Sequence, residues 1–225
     1  MPEPQTATDR GWGTWLTFHA AFAVLAVAVL MLPWPERGWQ VLGLVVVYHV
    51  ALVAVARWRR NATLWRAWTV LAPLSVVMLL PDWFLSEVLG VLSFPDQGGV
   101  YLGTVPLAMA GMWTIALMPV VGIGIAASDR AGAAAGLAAA GLAGGLLFLG
   151  AEAAAPLLGL WEPIGVQEVA GIAGYVLLPE VVLSICAYQL VAPAARLPRW
   201  TVAWLTLLLP FTYLGLLATS YQFLG

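Results

Sequence analysis

Seven stretches of mostly apolar residues run through this chain, each near the length of about 20 residues that a helix needs to cross a bilayer. The segments between them hold most of the charged residues. The sequence therefore predicts an all-α, polytopic integral membrane protein of about seven transmembrane helices, with residues 1–225 forming a single transmembrane helical domain. The predicted spans lie near residues 13–33, 39–57, 64–81, 99–126, 131–151, 168–192 and 200–223.

The composition supports this class and excludes several others. Hydrophobic residues make up 62% of the chain and charged residues 9%, whereas soluble domains are about 45–50% apolar and about 25% charged. We therefore expect membrane lipid around the protein and no nucleic-acid partner. All nine basic residues are arginines, so the chain lacks the Schiff-base lysine of retinal proteins and pyridoxal phosphate enzymes. A single cysteine, Cys186, excludes an internal disulfide.

The arginines predict how the spans are oriented. If the N-terminus is cytoplasmic, Arg37 is the one arginine in an outer segment, and the other eight fall in inner segments. Positively charged residues collect on the cytoplasmic side of short loops. We therefore predict a multi-pass protein of the cell membrane with a cytoplasmic N-terminus and an outer C-terminus. In that orientation the outer acids are Glu36, Asp82, Glu87, Asp96, Glu152, Glu162 and Glu168.

Two outer segments are similar to each other. The run LGVLSFP at 89–95 is similar to LGLWEP at 158–163, and each precedes a span that contains a proline, Pro106 or Pro179. This favours a two-helix unit repeated in parallel orientation over spans 3–4 and 5–6, with spans 1–2 as a third copy. The alternative is that tryptophan and proline are simply frequent at membrane interfaces.

Two further segments differ from ordinary spans. Residues 82–98 mix acids with leucines, which predicts a short helix lying in the outer membrane interface. Span 5 carries a small residue at every fourth position, at Gly132, Gly136, Ala140 and Gly144, which is typical of a closely packed helix. We expect that helix to serve packing, and it leaves open a homo-oligomer.

Glu180 is the strongest candidate for chemistry in the sequence. It lies about 12 residues from the outer end of predicted span 6, or about 18 Å along the helix axis. A carboxylate at that depth is costly unless it is protonated or paired. Pro179 loosens the helix before it, and Ser184 and Tyr188 share its helical face. The pattern predicts either a neutral acid that donates a proton inside an apolar cavity or a protonated clamp between helices.

Other side chains complete the candidate site. Asp82 and Glu152 end spans 3 and 5, and together with Glu180 they form the predicted catalytic set. Trp113 lies within span 4, where an aromatic ring can stabilise a carbocation, although packing is the commoner role of such a ring. The predicted substrate-binding residues are Trp113, Trp83, Tyr188, Ser184 and Glu87.

His19 and His49 raise the question of haem, because they lie at matching depths in spans 1 and 2. We favour an interhelical hydrogen bond from His19 to Tyr48 or Thr17 over haem ligation. The chain also lacks HExxH and aspartate-rich diphosphate-binding motifs. We therefore expect no cofactor and no metal site.

The run YVLLPE at 175–180, which follows WEP at 161–163, resembles the repeat of the small helical lycopene cyclases and of integral-membrane carotenoid-biosynthesis proteins more broadly. In the cyclase family the proline of the repeat is closely followed by paired acids, whereas here Val181 follows Glu180. The resemblance implies acid-initiated chemistry on a polyene.

Three functions follow as hypotheses. The first is an integral-membrane enzyme that modifies an isoprenoid or carotenoid-like lipid by acid-initiated cyclisation, hydration or isomerisation, with a lipophilic small molecule as substrate. The second is a small proton- or cation-coupled transporter, which predicts a polar path to both faces where the enzyme predicts a blind pocket. The third is a non-catalytic assembly subunit packed through span 5. The prolines that break the spans of such a transporter are Pro73, Pro106, Pro119, Pro179 and Pro210.

Overall fold

A computed structural model describes residues 7–225, and 75% of its residues are helical. Seven helices are long and apolar enough to cross a membrane, which confirms the predicted all-α class and number of spans. The helices are α1 (Ala7–Leu30), α2 (Arg37–Trp58), α3 (Ala62–Val77), α4 (Leu79–Trp83), α5 (Met109–Ala131), α6 (Ala133–Leu158), α7 (Gly174–Val191) and α8 (Arg199–Leu224). The strands are β1 (Leu92–Ser93), β2 (Tyr101–Leu102), β3 (Val105–Pro106), β4 (Glu162–Pro163), β5 (Glu168–Val169) and β6 (Ile172–Ala173).

The third span is longer than predicted. Helices α3 and α4 are followed by one wide π-helical turn over Phe84–Val88, so that Ala62–Val88 forms a single span. The predicted interfacial helix over 82–98 is therefore wrong. The polar residues at 82–88 do not end the helix because Asp82 is buried inside the protein, and the Ser86 hydroxyl donates to the Asp82 carbonyl at 2.9 Å.

Two spans begin later than predicted. Residues 101–106 form the β2–β3 hairpin before α5, and residues 168–173 form the β5–β6 hairpin before α7. Pro106 consequently lies in a hairpin and breaks no span. The other four prolines of the predicted set do lie inside these helices, at Pro73, Pro119, Pro179 and Pro210.

The predicted repeat is visible in the order of elements. In each unit a helix ends, a glycine with positive φ follows, and a short strand and a hairpin lead into the next helix. These glycines are Gly90 (φ 65°) and Gly159 (φ 66°), a conformation that glycine adopts without strain. Strands β1 and β4 pair antiparallel, with Ser93 opposite Glu162. The two similar segments of the sequence therefore meet across the interface between the two units.

The loop between α1 and α2 does not follow this plan. Residues 31–36 contain no strand and lead directly into α2. The predicted third copy over spans 1–2 thus lacks the strand and hairpin of the other two. Helix α1 contacts only α2 and α5 closely, and much of its surface is exposed as lipid-facing helices are.

The interior is formed mainly by α3, α5 and α7. Their buried side chains pack with α8 into one continuous apolar core. Leu71 and Leu74 of α3, Leu117 of α5 and Leu183 of α7 are all at least 99% buried. This core extends from the hairpin end of the bundle, where Val91 and Ala173 belong to it, to the opposite end, where Ala56 and Val191 do.

The small residues of α6 pack within the chain. Gly144 lies against Ser184 of α7, and Gly136 lies against the Tyr188 ring of α7. Close approach of two helices at small residues is a usual way to gain packing energy in lipid. The packing role predicted for this helix agrees with these contacts, and the face that the assembly-subunit hypothesis requires is covered by α7.

We predict that Gly144→Ala lowers the midpoint of thermal unfolding in detergent micelles. A Cβ there would overlap the Ser184 side chain, and overpacking typically costs about 1–3 kcal/mol. The matched control is Gly150→Ala on the same helix, where a Cβ meets no atom within 4 Å. Alanine favours helix at that site, so its midpoint should stay equal or rise. Equal midpoints for the two variants would contradict the tight α6–α7 contact.

Candidate functional site

A cavity of about 300 Å³ lies between the two repeated units, near the hairpin end of the bundle. All three acids predicted as catalytic, Asp82, Glu152 and Glu180, line it, and so does Trp113. No arginine, lysine or histidine is among its lining residues, within the part of the chain that the structure describes. The cavity therefore gathers three carboxyl groups in apolar surroundings without a cation.

Two of the three acids each accept a hydrogen bond from an indole. Trp113 Nε1 donates to Asp82 Oδ2 at 3.1 Å, and Trp161 Nε1 donates to Glu152 Oε1 at 3.1 Å. Asp82 is only 4% exposed, so the indole N–H replaces part of the hydration that burial removes. Both acids thus have an oxygen held in a fixed position at the wall of the cavity.

Glu180 differs from the other two acids. It is 3% exposed, and its Oε2 has no hydrogen-bond partner. Helix α7 begins at Gly174, six residues before Glu180, so the carboxyl lies about 9 Å below the helix start. The predicted depth of about 18 Å is wrong, because the residues before Gly174 form a hairpin. Glu180 nevertheless lines the same cavity as Asp82 and Glu152.

The repeat places Glu180 where the first unit has an indole donor. Trp113 lies eight residues after Val105, the first residue of β3, and Glu180 lies eight residues after Ile172, the first residue of β6. The two residues therefore hold equivalent positions in the two units. In the first unit this position supplies the indole that bonds Asp82. In the second unit it supplies another acid.

Asp82 and Glu152 are likewise equivalent. Asp82 precedes Gly90 by eight residues, and Glu152 precedes Gly159 by seven. The π-helical turn over Phe84–Val88 accounts for the extra residue in the first unit, since such a turn inserts one residue into an α-helix. Each unit thus places one acid at the same point of the cavity wall.

Aromatic rings form much of the remaining wall. Trp113 stands 5.6 Å from Phe148 and 5.6 Å from Tyr213, measured between ring centroids. The other aromatic lining residues are Phe94, Trp161 and Tyr175.

Tyr175 and Tyr213 were not expected from the sequence. Tyr213 lines the cavity together with all three acids. Tyr175 opens the YVLLPE run that carries the family resemblance, so its neighbourhood gave a signal. A second signal is that Pro81-Asp82 repeats the proline–acid pair of Pro179-Glu180.

Four of the predicted substrate-binding residues lie outside the cavity. Trp83 and Glu87 are exposed on the outside of the third span. Ser184 donates to the Glu180 carbonyl at 2.8 Å and packs on α6. Tyr188 packs against Gly124 and Gly136. Trp83 and Glu87 therefore face outward from the span that carries Asp82, and Ser184 and Tyr188 face neighbouring helices.

The two histidines bond to neighbouring protein groups. His19 Nδ1 donates to the Trp15 carbonyl at 2.8 Å, and its Nε2 lies 3.0 Å from the Tyr48 hydroxyl. This confirms the expected interhelical bond to Tyr48. His49 Nε2 donates to the Gly111 carbonyl at 3.3 Å, while Trp68 donates to His49 Nδ1 at 3.0 Å. Both nitrogens of each ring are therefore engaged by groups of the protein.

The three cavity acids are also not arranged as a metal site. Within residues 7–225, no three His, Cys, Asp or Glu side chains come close enough together to hold a metal ion. The site is thus a set of separated carboxyl groups around an aromatic cavity.

Residues 79–224 match the family model described as a domain of unknown function, DUF6989. The chain belongs to this family. The DUF6989 domain begins at the first residue of α4 and includes every lining residue of the cavity. No curated protein and no solved structure matches the chain significantly.

We predict opposite effects on stability for two substitutions in the DUF6989 cavity. Glu180→Met should leave the thermal midpoint in detergent unchanged or raise it, because it removes a buried polar group without a partner, which costs about 1–3 kcal/mol. Trp113→Phe should lower the midpoint, because Asp82 loses its donor. If Glu180→Met destabilises the protein as much as Trp113→Phe does, Glu180 has a partner and the geometry described here is wrong.

Proposed function

We propose that this protein is a membrane-embedded enzyme that modifies an isoprenoid or carotenoid-like lipid by acid-initiated cyclisation, hydration or isomerisation. The observation that supports it best is the unpartnered, buried Glu180 carboxyl in a cavity lined with aromatic rings. A carboxyl group in apolar surroundings without a cation or donor is most stable when it is neutral. A neutral acid of this kind is a proton donor.

In the proposed reaction, Glu180 donates its proton to an alkene or epoxide of the bound lipid. Protonation of an alkene uses its π electron pair to form the new C–H bond and leaves a carbocation on the neighbouring carbon. Protonation of an epoxide opens its C–O bond and gives a hydroxyl group and a carbocation. Glu180 is left as a carboxylate in either case.

The aromatic wall suits the cationic intermediate. The faces of tryptophan, tyrosine and phenylalanine rings attract a cation with an energy of about 2 kcal/mol or more in desolvated surroundings. Trp113, Phe148 and Tyr213 form one contiguous group of such rings beside the acids. The cation can be attacked by a second double bond of the substrate, which closes a ring, or by water.

Asp82 and Glu152 are suited to end the reaction. Each has an oxygen that accepts an indole hydrogen bond, and such a bond makes the ionised form less costly than it is for a buried carboxyl group without a donor. A carboxylate at the wall can take a proton from the carbon next to the cation, and the C–H electron pair then forms the final alkene. Return of that proton to Glu180, which lies near both acids, restores the starting state.

The packing beneath the cavity favours an enzyme over a transporter. One and two turns further along α5 and α7 lie Leu117, Val121, Leu183 and Ala187, all at least 99% buried. A coupled transporter needs a polar path from its binding site to both faces. These side chains form an apolar core below Glu180, in which the Ser184 hydroxyl donates to its own helix and Tyr188 packs against α5 and α6.

The resemblance of the YVLLPE run to the helical lycopene cyclases agrees with this proposal. The proline–acid pair of that run occurs twice around the cavity, as Pro179-Glu180 and as Pro81-Asp82. A proline frees a backbone carbonyl one turn before it. Each of these acids therefore follows a loosened turn of its helix.

We predict that Glu180→Gln abolishes product formation. Cells that accumulate isoprenoid lipids should contain a new lipid when they express the wild type, with a mass equal to that of its precursor or greater by one water. General acid catalysis contributes about 10²–10⁴-fold, so the variant should make at least about 100-fold less of it. The control is Glu168→Gln, an exposed acid of β5 outside the cavity.

The readout is the extracted lipid profile, measured by mass spectrometry beside the thermal midpoint of each purified protein. Identical lipid profiles for wild type and Glu180→Gln would overturn the proposed function. Uptake of a solute into reconstituted vesicles, driven by a proton gradient and lost in Glu180→Gln, would favour the transporter instead.

We also propose that the protein lies in the cell membrane with a cytoplasmic N-terminus. Most arginines lie at the end of the bundle opposite the hairpins, in the turn between α2 and α3, at the end of α5 and before α8. Basic residues favour the cytoplasmic side. This orientation places the cavity near the outer face.

Labelling of single cysteines tests the orientation. In a Cys186→Ala background, an impermeant maleimide applied to intact cells should modify Asp96→Cys and leave Asp129→Cys unmodified until the cells are opened. Both positions are exposed, so access to the reagent depends on the membrane alone. The reverse labelling pattern would show the opposite orientation.

A further inference from the structure

A second hollow adjoins the cavity on its hairpin side. It has a volume of about 540 Å³ and is open to the outside, and we call it the outer hollow. Leu92 and Phe94 line both the outer hollow and the cavity. A molecule that fills both spaces would therefore pass these two side chains.

Two side chains of the outer hollow, Thr104 and Asp96, offer oxygens that can accept a hydrogen bond from a ligand. The Ser86 hydroxyl donates its proton to the Asp82 carbonyl at 2.9 Å. The contact of 2.7 Å between Ser86 Oγ and Thr104 Oγ1 must then use the Thr104 proton. The lone pairs of Thr104 Oγ1 remain free to accept. Asp96 accepts the Gly98 N–H with Oδ1, which leaves its second oxygen as another acceptor.

The outer hollow contains no cation to bind an anion. None of its lining residues is basic, within residues 7–225. Among the arginines whose side chains the structure describes, Arg37 lies at this end of the bundle, and its guanidinium donates to the Leu30 carbonyl and to Gln40. A phosphate or carboxylate placed in the outer hollow would therefore meet Asp96 and hydroxyl lone pairs without a counter-ion.

We propose that the outer hollow binds the hydroxyl head of an uncharged isoprenoid alcohol whose apolar tail lies in the cavity. This inference rests on the proposed function for its choice of an isoprenoid tail, and it names the substrate class that the site accepts. The head donates to Thr104 Oγ1 and Asp96, and the tail passes Leu92 and Phe94 to reach Glu180. Prenyl diphosphates are excluded by the same contacts.

Binding of three ligands with the same tail tests this assignment on the full chain in detergent. The ligands are farnesol, farnesyl diphosphate and the hydrocarbon farnesene, and the readouts are thermal stabilisation and native mass spectrometry. Farnesol should bind saturably and at least about tenfold more tightly than either of the others. Diphosphate binding as tight as that of farnesol would overturn the uncharged head, and equal binding of farnesene would overturn the hydroxyl subsite.

Two variants locate the subsite. Thr104→Val should weaken farnesol binding about 3–10-fold by removing an acceptor, with Thr219→Val as its matched control, because the exposed Thr219 hydroxyl bonds only to its own helix. Asp96→Asn keeps an oxygen for the Gly98 N–H and replaces the second acceptor by a donor, so it should also weaken binding. Wild-type affinity in both variants would overturn the inference.

The outcome is separable from that of the proposed function. Glu180→Gln should still bind farnesol more tightly than farnesene or farnesyl diphosphate even though it forms no product, because the three ligands differ at the end that lies in the outer hollow, which Glu180 does not line. If farnesol binds no more tightly than farnesene or farnesyl diphosphate while the wild type still forms its product, the inference alone is overturned. If farnesol binds more tightly than the other two ligands but the wild type and Glu180→Gln give identical lipid profiles, the proposed chemistry alone is overturned.

Discussion

The structure depends on the burial of three carboxyl groups in an apolar bundle without a neutralising cation. Asp82 and Glu180 are almost fully buried, and no basic side chain among the described residues lines their cavity. Burial of an ionised group costs several kcal/mol unless partners replace its water. Indole donors serve Asp82 and Glu152, whereas Glu180 has none. The protein therefore places one acid in surroundings that favour its neutral form, beside two acids that can accept a proton.

This arrangement follows from a repeat whose two copies have diverged at one position. Both units end their first helix with an acid at the same place, and β1 pairs with β4 to join the units over the cavity. The second helix carries Trp113 in one unit and Glu180 in the other. An acid thus stands in the second unit where the first unit has an indole donor. This acid, Glu180, is the proton donor of the proposed reaction.

The number of spans was predictable because apolar length is a local property, but two span starts were not. The segments that form the β2–β3 and β5–β6 hairpins continue apolar runs into α5 and α7, so hydropathy alone extended those helices. Glu180 and Trp113 were predictable as polar or aromatic residues within spans. Tyr213 was not, because its place at the cavity depends on how α8 packs against α3 and α7. Trp83 and Glu87 were wrongly predicted to line the site. They are close to Asp82 in the sequence, but closeness in sequence does not determine the direction in which a side chain points.

The claim that Glu180 is a neutral acid in the resting protein is central to this account, and infrared spectroscopy tests it most directly. The spectrum of the wild type at neutral pH should contain the carbonyl stretch of a protonated carboxylic acid, and exchange into heavy water should shift that band. The difference spectrum between the wild type and Glu180→Gln should assign the band to Glu180, while Glu168→Gln should leave it in place. A wild-type spectrum without this band, or a band that persists in Glu180→Gln, would contradict the account.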